Sequence, residues 1–186
     1  FAAQRYNLGN LARAQNKPEE AIGYYQAAIK IDDQFFPAKV NLAMLFSQIG
    51  QNEKAEKLLR EVVENNPQLY EAGYSLGLLL AEEHKYAEAA HYFGLAADGM
   101  PTYTRVRYNQ ALALLKLEKW QEGADLLEKV IALEPETTEY FVALANLYLN
   151  FREYGRAKTL AETVLKRVPN HAAAQQLLDI LKQQGN

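Results

Sequence analysis

The sequence contains no cysteine among its 186 residues. This absence excludes disulfide bonds, thiolate nucleophiles, zinc sites with cysteine ligands, iron–sulfur clusters and covalently attached haem. It does not indicate a cellular compartment, because cysteine-free proteins occur in oxidising and reducing environments alike.

The chain also lacks a basic excess and long apolar segments. The chain has 20 Lys and Arg residues and 23 Asp and Glu residues, so its formal net charge is −3. Since binding to a phosphate backbone needs positive charge, no nucleic-acid partner is predicted. Apolar runs such as residues 76–81 are too short to span a bilayer, so no direct membrane insertion is predicted.

No signal peptide is recognisable, and the sequence leaves the compartment and the oligomeric state open. The first residue is Phe1 rather than Met. We therefore expect the sequence to be a segment excised from a longer protein.

Proline is scarce, but four of the six prolines are evenly spaced. Pro67, Pro101, Pro135 and Pro169 lie 34 residues apart. Because proline has no backbone N–H and favours turns and helix starts, this spacing predicts a repeated unit of constant length. Counting back from the prolines gives five frames without insertions, 2–35, 36–69, 70–103, 104–137 and 138–171, and a remainder at 172–186.

Small residues recur at fixed positions of these frames. The eighth and the twentieth residue of every frame is Gly or Ala. Small residues there let two helix backbones approach closely, and apolar residues at three- and four-residue spacing predict amphipathic helices. Each frame is therefore predicted to form two antiparallel helices. In the third frame they are expected at 70–81 and 86–97, with a polar turn between them.

The residues that recur at equivalent positions of the frames, here called columns, resemble the tetratricopeptide repeat (TPR), a helix–turn–helix unit of 34 residues. The best matches are Arg5–Asn10 with Glu19–Ile29, and Tyr86–Ala97 with Pro101. The resemblance covers residues 2–171. It implies an all-α fold, an α-solenoid in which antiparallel helix pairs form a right-handed superhelix, and a single TPR array over residues 1–186.

The two ends of the predicted array differ. Residues 172–183 are predicted to form a capping helix, because Asp179 and Lys182 stand where the repeats carry small or large apolar residues. The first helix is expected to begin almost at Phe1 without such a cap. We therefore expect a segment before Phe1 to cover that end in the full-length protein.

The resemblance also implies that the first helix of each repeat lines a concave binding surface. Asparagine can donate to and accept from a peptide backbone, and tyrosine offers a large contact area with few rotatable bonds. The same columns also fit simple packing between repeats. The candidate groove residues are Tyr6, Asn7, Asn10, Arg13, Asn41, Met44, Tyr74, Leu78, Tyr108, Asn109, Leu112 and Asn146, with Arg105 and Glu139 as further candidates.

Two functions are compatible with these residues. One is a protein–protein interaction module that binds a peptide or a helical segment of a partner in the groove. The alternative is a structural spacer, a docking domain or a self-association domain of a larger, bacterial multidomain protein.

One specific form of peptide binding is not predicted. Some TPR domains hold the C-terminal carboxylate of heat-shock chaperones with asparagine and basic side chains. Asn10 and Asn41 match the asparagines, but Tyr6, Glu71 and Ser75 stand at the basic positions. A glutamate at such a site would repel a carboxylate.

Neither an enzyme nor a metal or cofactor site is predicted. The histidines His84, His91 and His171 lack the spacing of a helical metal pair, and no carboxylate completes a ligand set. There is no glycine-rich loop that could cradle a phosphate, and no Ser/His/Asp set.

Overall fold

The computed structural model describes residues 1–184, which form eleven α-helices and no strand. This confirms the all-α prediction. The helices are Ala2–Ala14 (α1), Pro18–Ile31 (α2), Phe36–Gln48 (α3), Asn52–Asn65 (α4), Tyr70–Glu82 (α5), Tyr86–Gly99 (α6), Thr104–Lys116 (α7), Trp120–Leu133 (α8), Thr138–Asn150 (α9), Tyr154–Arg167 (α10) and Ala172–Gln184 (α11).

Consecutive helices pack as pairs, with the most extensive contacts inside each pair. The pairs are α1 with α2, α3 with α4, α5 with α6, α7 with α8, and α9 with α10, and α11 packs on α10 and α9. The chain divides into two compact units, Phe1–Met100 and a second unit that begins at Pro101. The single array over residues 1–186 stays a prediction.

Glycines at the eighth frame position allow the two helices of a pair to approach closely. A Cβ atom added at Gly9 would lie 2.5 Å from the ring of Tyr25, and one at Gly77 would lie 2.7 Å from the ring of Phe93. Both rings are almost completely buried. The glycine on one helix and the ring on the next therefore fill one another's space.

The first inter-repeat turn has no proline at its frame position and is held by two ion pairs of one buried lysine. Lys39 is only 2% exposed, and its Nζ lies 3.0 Å from Asp33 and 2.5 Å from Glu61. Burial alone would lower the pKa of Lys39, but hydrogen bonds to Glu61 and Asp33 outweigh burial and raise it. Asp33, which stands at the proline position of this frame, thus connects the turn to α3 and, through Lys39, to α4.

The last helix buries one face and exposes the other. Ala174, Leu177 and Leu181 are buried, whereas Asp179 and Lys182 are exposed and lie 3.3 Å apart. The two polar residues on which the cap prediction rests therefore face solvent.

The turn inside each helix pair contains one residue with positive φ. These residues are Asn16, Gly50, His84, Glu118 and Arg152, with φ between 58° and 76°. In the third pair, for example, Lys85 N–H donates to the Leu80 carbonyl at 2.8 Å, which closes the turn as in a Schellman motif. Glycine adopts this conformation without strain, but four of the five positions carry other residues.

Replacing Gly50 by Ala is expected to lower the free energy of unfolding by about 1 kcal/mol. A Cβ atom at Gly50 would meet nothing within 4 Å, so the loss comes from the backbone alone. Gly23, on α2, is the matched control, because a Cβ atom there also meets nothing. Gly23→Ala is expected to stabilise by about 0.5–1 kcal/mol. Urea denaturation followed by circular dichroism measures both, and shifts of the same sign would contradict this explanation.

Candidate functional site

In the first unit, three of the candidate groove residues form one hydrogen-bond network with a buried tyrosine. The Oδ1 of Asn10 accepts from the hydroxyl of Tyr25 at 2.8 Å and from the Nδ2 of Asn41 at 2.9 Å. The same Nδ2 also donates to the Tyr6 hydroxyl at 3.2 Å. The network therefore joins α1, α2 and α3 at the level of Tyr25.

Each hydrogen bond of the network has a defined donor and acceptor. Burial raises the pKa of Tyr25, so its hydroxyl stays protonated and donates to Asn10. The two hydrogens of the Asn41 amide are used within the network, as are both lone pairs of the Asn10 oxygen. What the network leaves for other partners is the amide nitrogen of Asn10 and the carbonyl oxygen of Asn41.

Two apolar candidates lie at one position of successive first helices. Met44 on α3 and Leu78 on α5 are 39% and 38% exposed, respectively, and α3 contacts α5. Tyr74 is half-buried, with its ring centre 5.9 Å from that of Phe93. The first unit therefore combines an amide pair with accessible apolar side chains.

Two further candidates of the first unit, Asn7 and Arg13, are exposed on α1. Asn7 lies beside the apolar side chains Phe1, Leu8 and Leu11 at the outer side of that helix. The structure thus does not bring Asn7 into the amide network of Asn10 and Asn41.

The candidate groove residues of the second unit are less accessible to a ligand. Tyr108 is buried, and Leu112 is half-buried against the core of this unit. Asn146 is exposed, but its amide donates to the carbonyl of Val142 on its own helix at 3.0 Å. Asn109 is half-buried. An interaction with the preceding turn thus already uses one of the Asn146 amide hydrogens.

Arg105 covers two of the tyrosines of the second unit. The guanidinium of Arg105 lies 5.3 Å from the ring centre of Tyr108 and 5.9 Å from that of Tyr140, and it pairs with Glu139 at 2.8 Å. Burial and the neighbouring Glu139 raise the pKa of Tyr108 to about 12. Arg105 thus stacks on the two tyrosine rings, and its charge is already paired with that of Glu139.

A polar cluster that was not expected from the sequence lies near this stack. The Glu134 carboxylate accepts hydrogen bonds from Thr104, Thr137 and Tyr140. The bond from Thr104, which is buried, contributes most to lowering the pKa of Glu134. No column of the repeat marks these residues, so only the packing of α7 against α9 brings them together.

Residues 1–184 contain no group of three or more His, Asp or Glu side chains placed to hold a metal ion. Within the same range, no helix has both the length and the apolar character that a membrane span requires.

Two family models match the chain. The model described as the Tetratricopeptide repeat protein 21 C-terminal ARM domain matches residues 6–141, and a model described as Tetratricopeptide repeat matches residues 114–181.

Curated relatives share about a quarter of their aligned residues with the chain. Hsp70-Hsp90 organizing protein 1 of Glycine max is 26% identical over 172 residues, which are 92% of this chain and 28% of the relative. Photosystem I assembly protein Ycf3 of Acaryochloris marina is 29% identical over 107 residues, which are 52% of this chain and 64% of the relative. The chain thus spans less than two thirds of either relative.

Solved structures share the fold at low sequence identity. MamA (residues 41 to the end) from Desulfovibrio magneticus RS-1 has a TM-score of 0.84 at 19% identity, over 92% of this chain and 97% of that one. YrrB, described as a TPR protein with an unusual peptide-binding site, has a TM-score of 0.85 at 17% identity, over 96% and 92%. Together with the paired helices and the family-model matches, these likenesses lead to one conclusion: the chain belongs to the tetratricopeptide repeat family.

Proposed function

We propose that the protein is a protein–protein interaction module that binds a peptide or a helical segment of a partner on the first helices of its repeats. The observation that carries the proposal is the oriented amide pair of Asn10 and Asn41 beside the exposed Met44 and Leu78. The names of the relatives point to the same class of function, since they describe an organizing protein, an assembly protein and a peptide-binding TPR protein.

The amide pair matches the hydrogen-bonding needs of a peptide. An extended or partly helical segment presents backbone N–H donors and C=O acceptors. The Nδ2 of Asn10 would donate to a ligand carbonyl, and the Oδ1 of Asn41 would accept from a ligand N–H. Such bonds are independent of the ligand's side chains, so they would contribute affinity for peptides in general.

The network also fixes these amides before a ligand arrives. The buried ring of Tyr25 positions its hydroxyl, which holds the oxygen of Asn10, and Asn10 in turn holds Asn41. Binding then loses less side-chain entropy than it would with freely rotating amides.

The apolar side chains supply the selective part of the proposed surface. Met44 is flexible and polarisable, so it adapts to ligand side chains of different shape. Leu78 and the half-buried Tyr74 lie one repeat further along. A ligand with apolar residues at matching intervals would cover all three.

The second unit contributes candidate contacts of its own. Asn109, Leu112 and Asn146 stand at the corresponding frame positions, but Tyr108 is buried there and Asn146 is bonded to its own helix. The proposal therefore rests on the first unit. It includes no catalytic step, since a binding module of this kind works by shape and hydrogen bonding alone.

Replacing Asn41 and Tyr74 together by Ala is expected to weaken peptide binding by roughly tenfold or more, because a hydrogen bond and an aromatic contact are lost. The probe is a fluorescently labelled peptide selected on the wild-type protein from a random display library, and anisotropy gives its Kd. The helical circular dichroism signal is expected to stay nearly unchanged.

Asn65→Ala is the matched control for this double variant. Asn65 is exposed on α4 and donates to the Glu61 carbonyl of its own helix at 2.8 Å. Its replacement is expected to leave the Kd unchanged. If the selected peptide binds the Asn41/Tyr74 variant as tightly as the wild type, the proposed groove is wrong.

Tyr25→Phe tests the support beneath the amide pair. Loss of the hydroxyl leaves the Asn10 oxygen with one partner, so we expect a loss of about 1 kcal/mol in the free energy of unfolding and a weaker peptide Kd. Urea denaturation and anisotropy measure the two effects. Tyr24→Phe, at the adjacent half-buried tyrosine, is expected to change neither. If the two variants have the same stability and the same peptide Kd, the Tyr25 hydroxyl does not support the amide pair.

The alternative of self-association also has a specific observation in its favour. Leu8, Leu11 and Ile31 on the outer side of α1 and α2 are between 39% and 54% exposed. In the second and third frames, leucines at the positions of Leu8 and Leu11 are almost fully buried. Exposed apolar surface of this kind favours association with another protein surface.

Sedimentation velocity from micromolar to millimolar protein tests this alternative. Self-association through this face predicts a rise in sedimentation coefficient with concentration, which the double variant Leu11→Gln/Ile31→Gln abolishes. A monomer at every concentration would contradict the alternative and leave the interaction module unaffected.

A further inference from the structure

A cleft of about 550 Å³ lies between α8 and α10 in the second unit, beside the end of α9. It opens to solvent and is separate from the candidate groove residues. The residues that matter for its chemistry are Trp120, Phe151, Tyr148, Ala124, Glu128 and Arg156.

The wall of the cleft is an exposed aromatic pair. Trp120 is 38% exposed and Phe151 is 45% exposed, and their ring centres lie 5.6 Å apart in an edge-to-face arrangement. The two residues come from successive repeats. At the preceding junctions the same two frame positions hold Pro18 and Ile49, Asn52 and Glu83, and Tyr86 and Leu117. An aromatic residue at both positions is therefore specific to this junction.

The corresponding place in the first unit, between α4 and α6, is bridged by four charged side chains. Arg60 on α4 pairs with Glu88 on α6 at 2.5 Å. Lys85, at the start of α6, pairs with Glu56 on α4 at 2.8 Å. Each of the two contacts crosses from one helix pair to the next, and together they tie α4 to α6.

Two frames later, the same four positions carry Ala124, Glu128, Glu153 and Arg156. The position of Glu56 carries alanine, and the other three positions carry the opposite charge. Arg156 pairs with Glu153 at 3.1 Å, beside its own helix, and Glu128 accepts from the hydroxyl of Tyr148 at 2.8 Å. Glu128 and Arg156 thus carry opposite charges on α8 and α10, but each is bonded to another partner, and these four residues form no direct ion pair between the two helices.

The charges at the cleft favour a cation. Four carboxylates line it, whereas the lining cations Lys119 and Arg156 are already paired with Glu122 and Glu153 at 3.3 Å and 3.1 Å. Arg156 also stacks over the ring of Tyr148 at 4.5 Å, which shows that this aromatic lining accepts a guanidinium. A second cation at Trp120 would meet a partly exposed aromatic ring and an excess of carboxylates over cations.

We propose that this cleft binds an arginine side chain of a protein partner, with the guanidinium stacked on Trp120 and paired with Glu128. The planar guanidinium can stack on an aromatic ring and donate to a carboxylate at the same time. This surface is additional to the amide groove, so the protein would hold a partner at two chemically different places.

Trp120 is the only tryptophan of the chain, so its fluorescence reports directly on the cleft. The probe is the peptide Gly-Ser-Arg-Gly-Arg-Ser-Gly, and its control carries citrulline in place of both arginines, which keeps the shape and removes the charge. We expect saturable quenching or shift of the tryptophan emission with the arginine peptide, and binding roughly tenfold weaker with the citrulline peptide. No saturable change up to about 1 mM arginine peptide, or equal affinity for both peptides, would overturn the proposal.

A variant that closes the cleft separates this effect from unfolding. Ala124→Glu with Glu153→Lys installs the pair that Glu56 and Lys85 form in the first unit. This variant is expected to keep its helical circular dichroism while losing the fluorescence response to arginine. The Asn41→Ala/Tyr74→Ala variant is expected to retain the full response. If the closed variant responds like the wild type, the cleft does not bind arginine, whatever the outcome at the groove.

Discussion

The close approach of the two helices in a pair is the constraint on which the other features of the first unit depend. At Gly9 the ring of Tyr25 occupies the space that a Cβ atom would need, and Phe93 does the same at Gly77. This contact fixes the depth of the Tyr25 ring, and the ring carries its hydroxyl to the oxygen of Asn10. Packing of the repeat and orientation of the amide pair thus originate in one contact. A side chain larger than glycine at position 9 would displace both.

The surfaces of the repeats differ from one another where their polar residues differ. Glu56, Arg60, Lys85 and Glu88 tie two second helices together in the first unit. At the equivalent positions of the second unit, one replacement by alanine and three reversals of charge accompany an open aromatic cleft. The backbone of the helix pairs needs no change for this difference. Substitutions on a packing scheme that recurs from repeat to repeat are therefore sufficient to give each junction its own surface chemistry.

The sequence predicted the all-α fold and the positions of the paired helices, because proline spacing and small-residue columns report directly on backbone packing. It did not predict the positive φ at His84, Glu118 and Arg152, since among the five turn residues only Gly50 and Asn16 are of the types that mark a helix end with this conformation. Nor did it predict that Asn10 and Asn41 bond to each other, because residues in different repeats meet only after the helices pack. Tyr108 shares a column with Tyr6 and Tyr74, yet it is buried because the ring of Tyr140, from the next repeat, lies 4.9 Å away.

The most direct test of the binding surface follows the side-chain amides of Asn10 and Asn41 by NMR while a library-selected peptide is added. The network uses the oxygen of Asn10 but not its amide nitrogen, and it commits both hydrogens of the Asn41 amide to Asn10 and Tyr6. A peptide bound at this surface is expected to shift the Asn10 side-chain NH₂ resonances strongly and to change the Asn41 NH₂ resonances little. Perturbations confined to residues outside α1, α3 and α5, with both asparagine side chains unmoved, would contradict it.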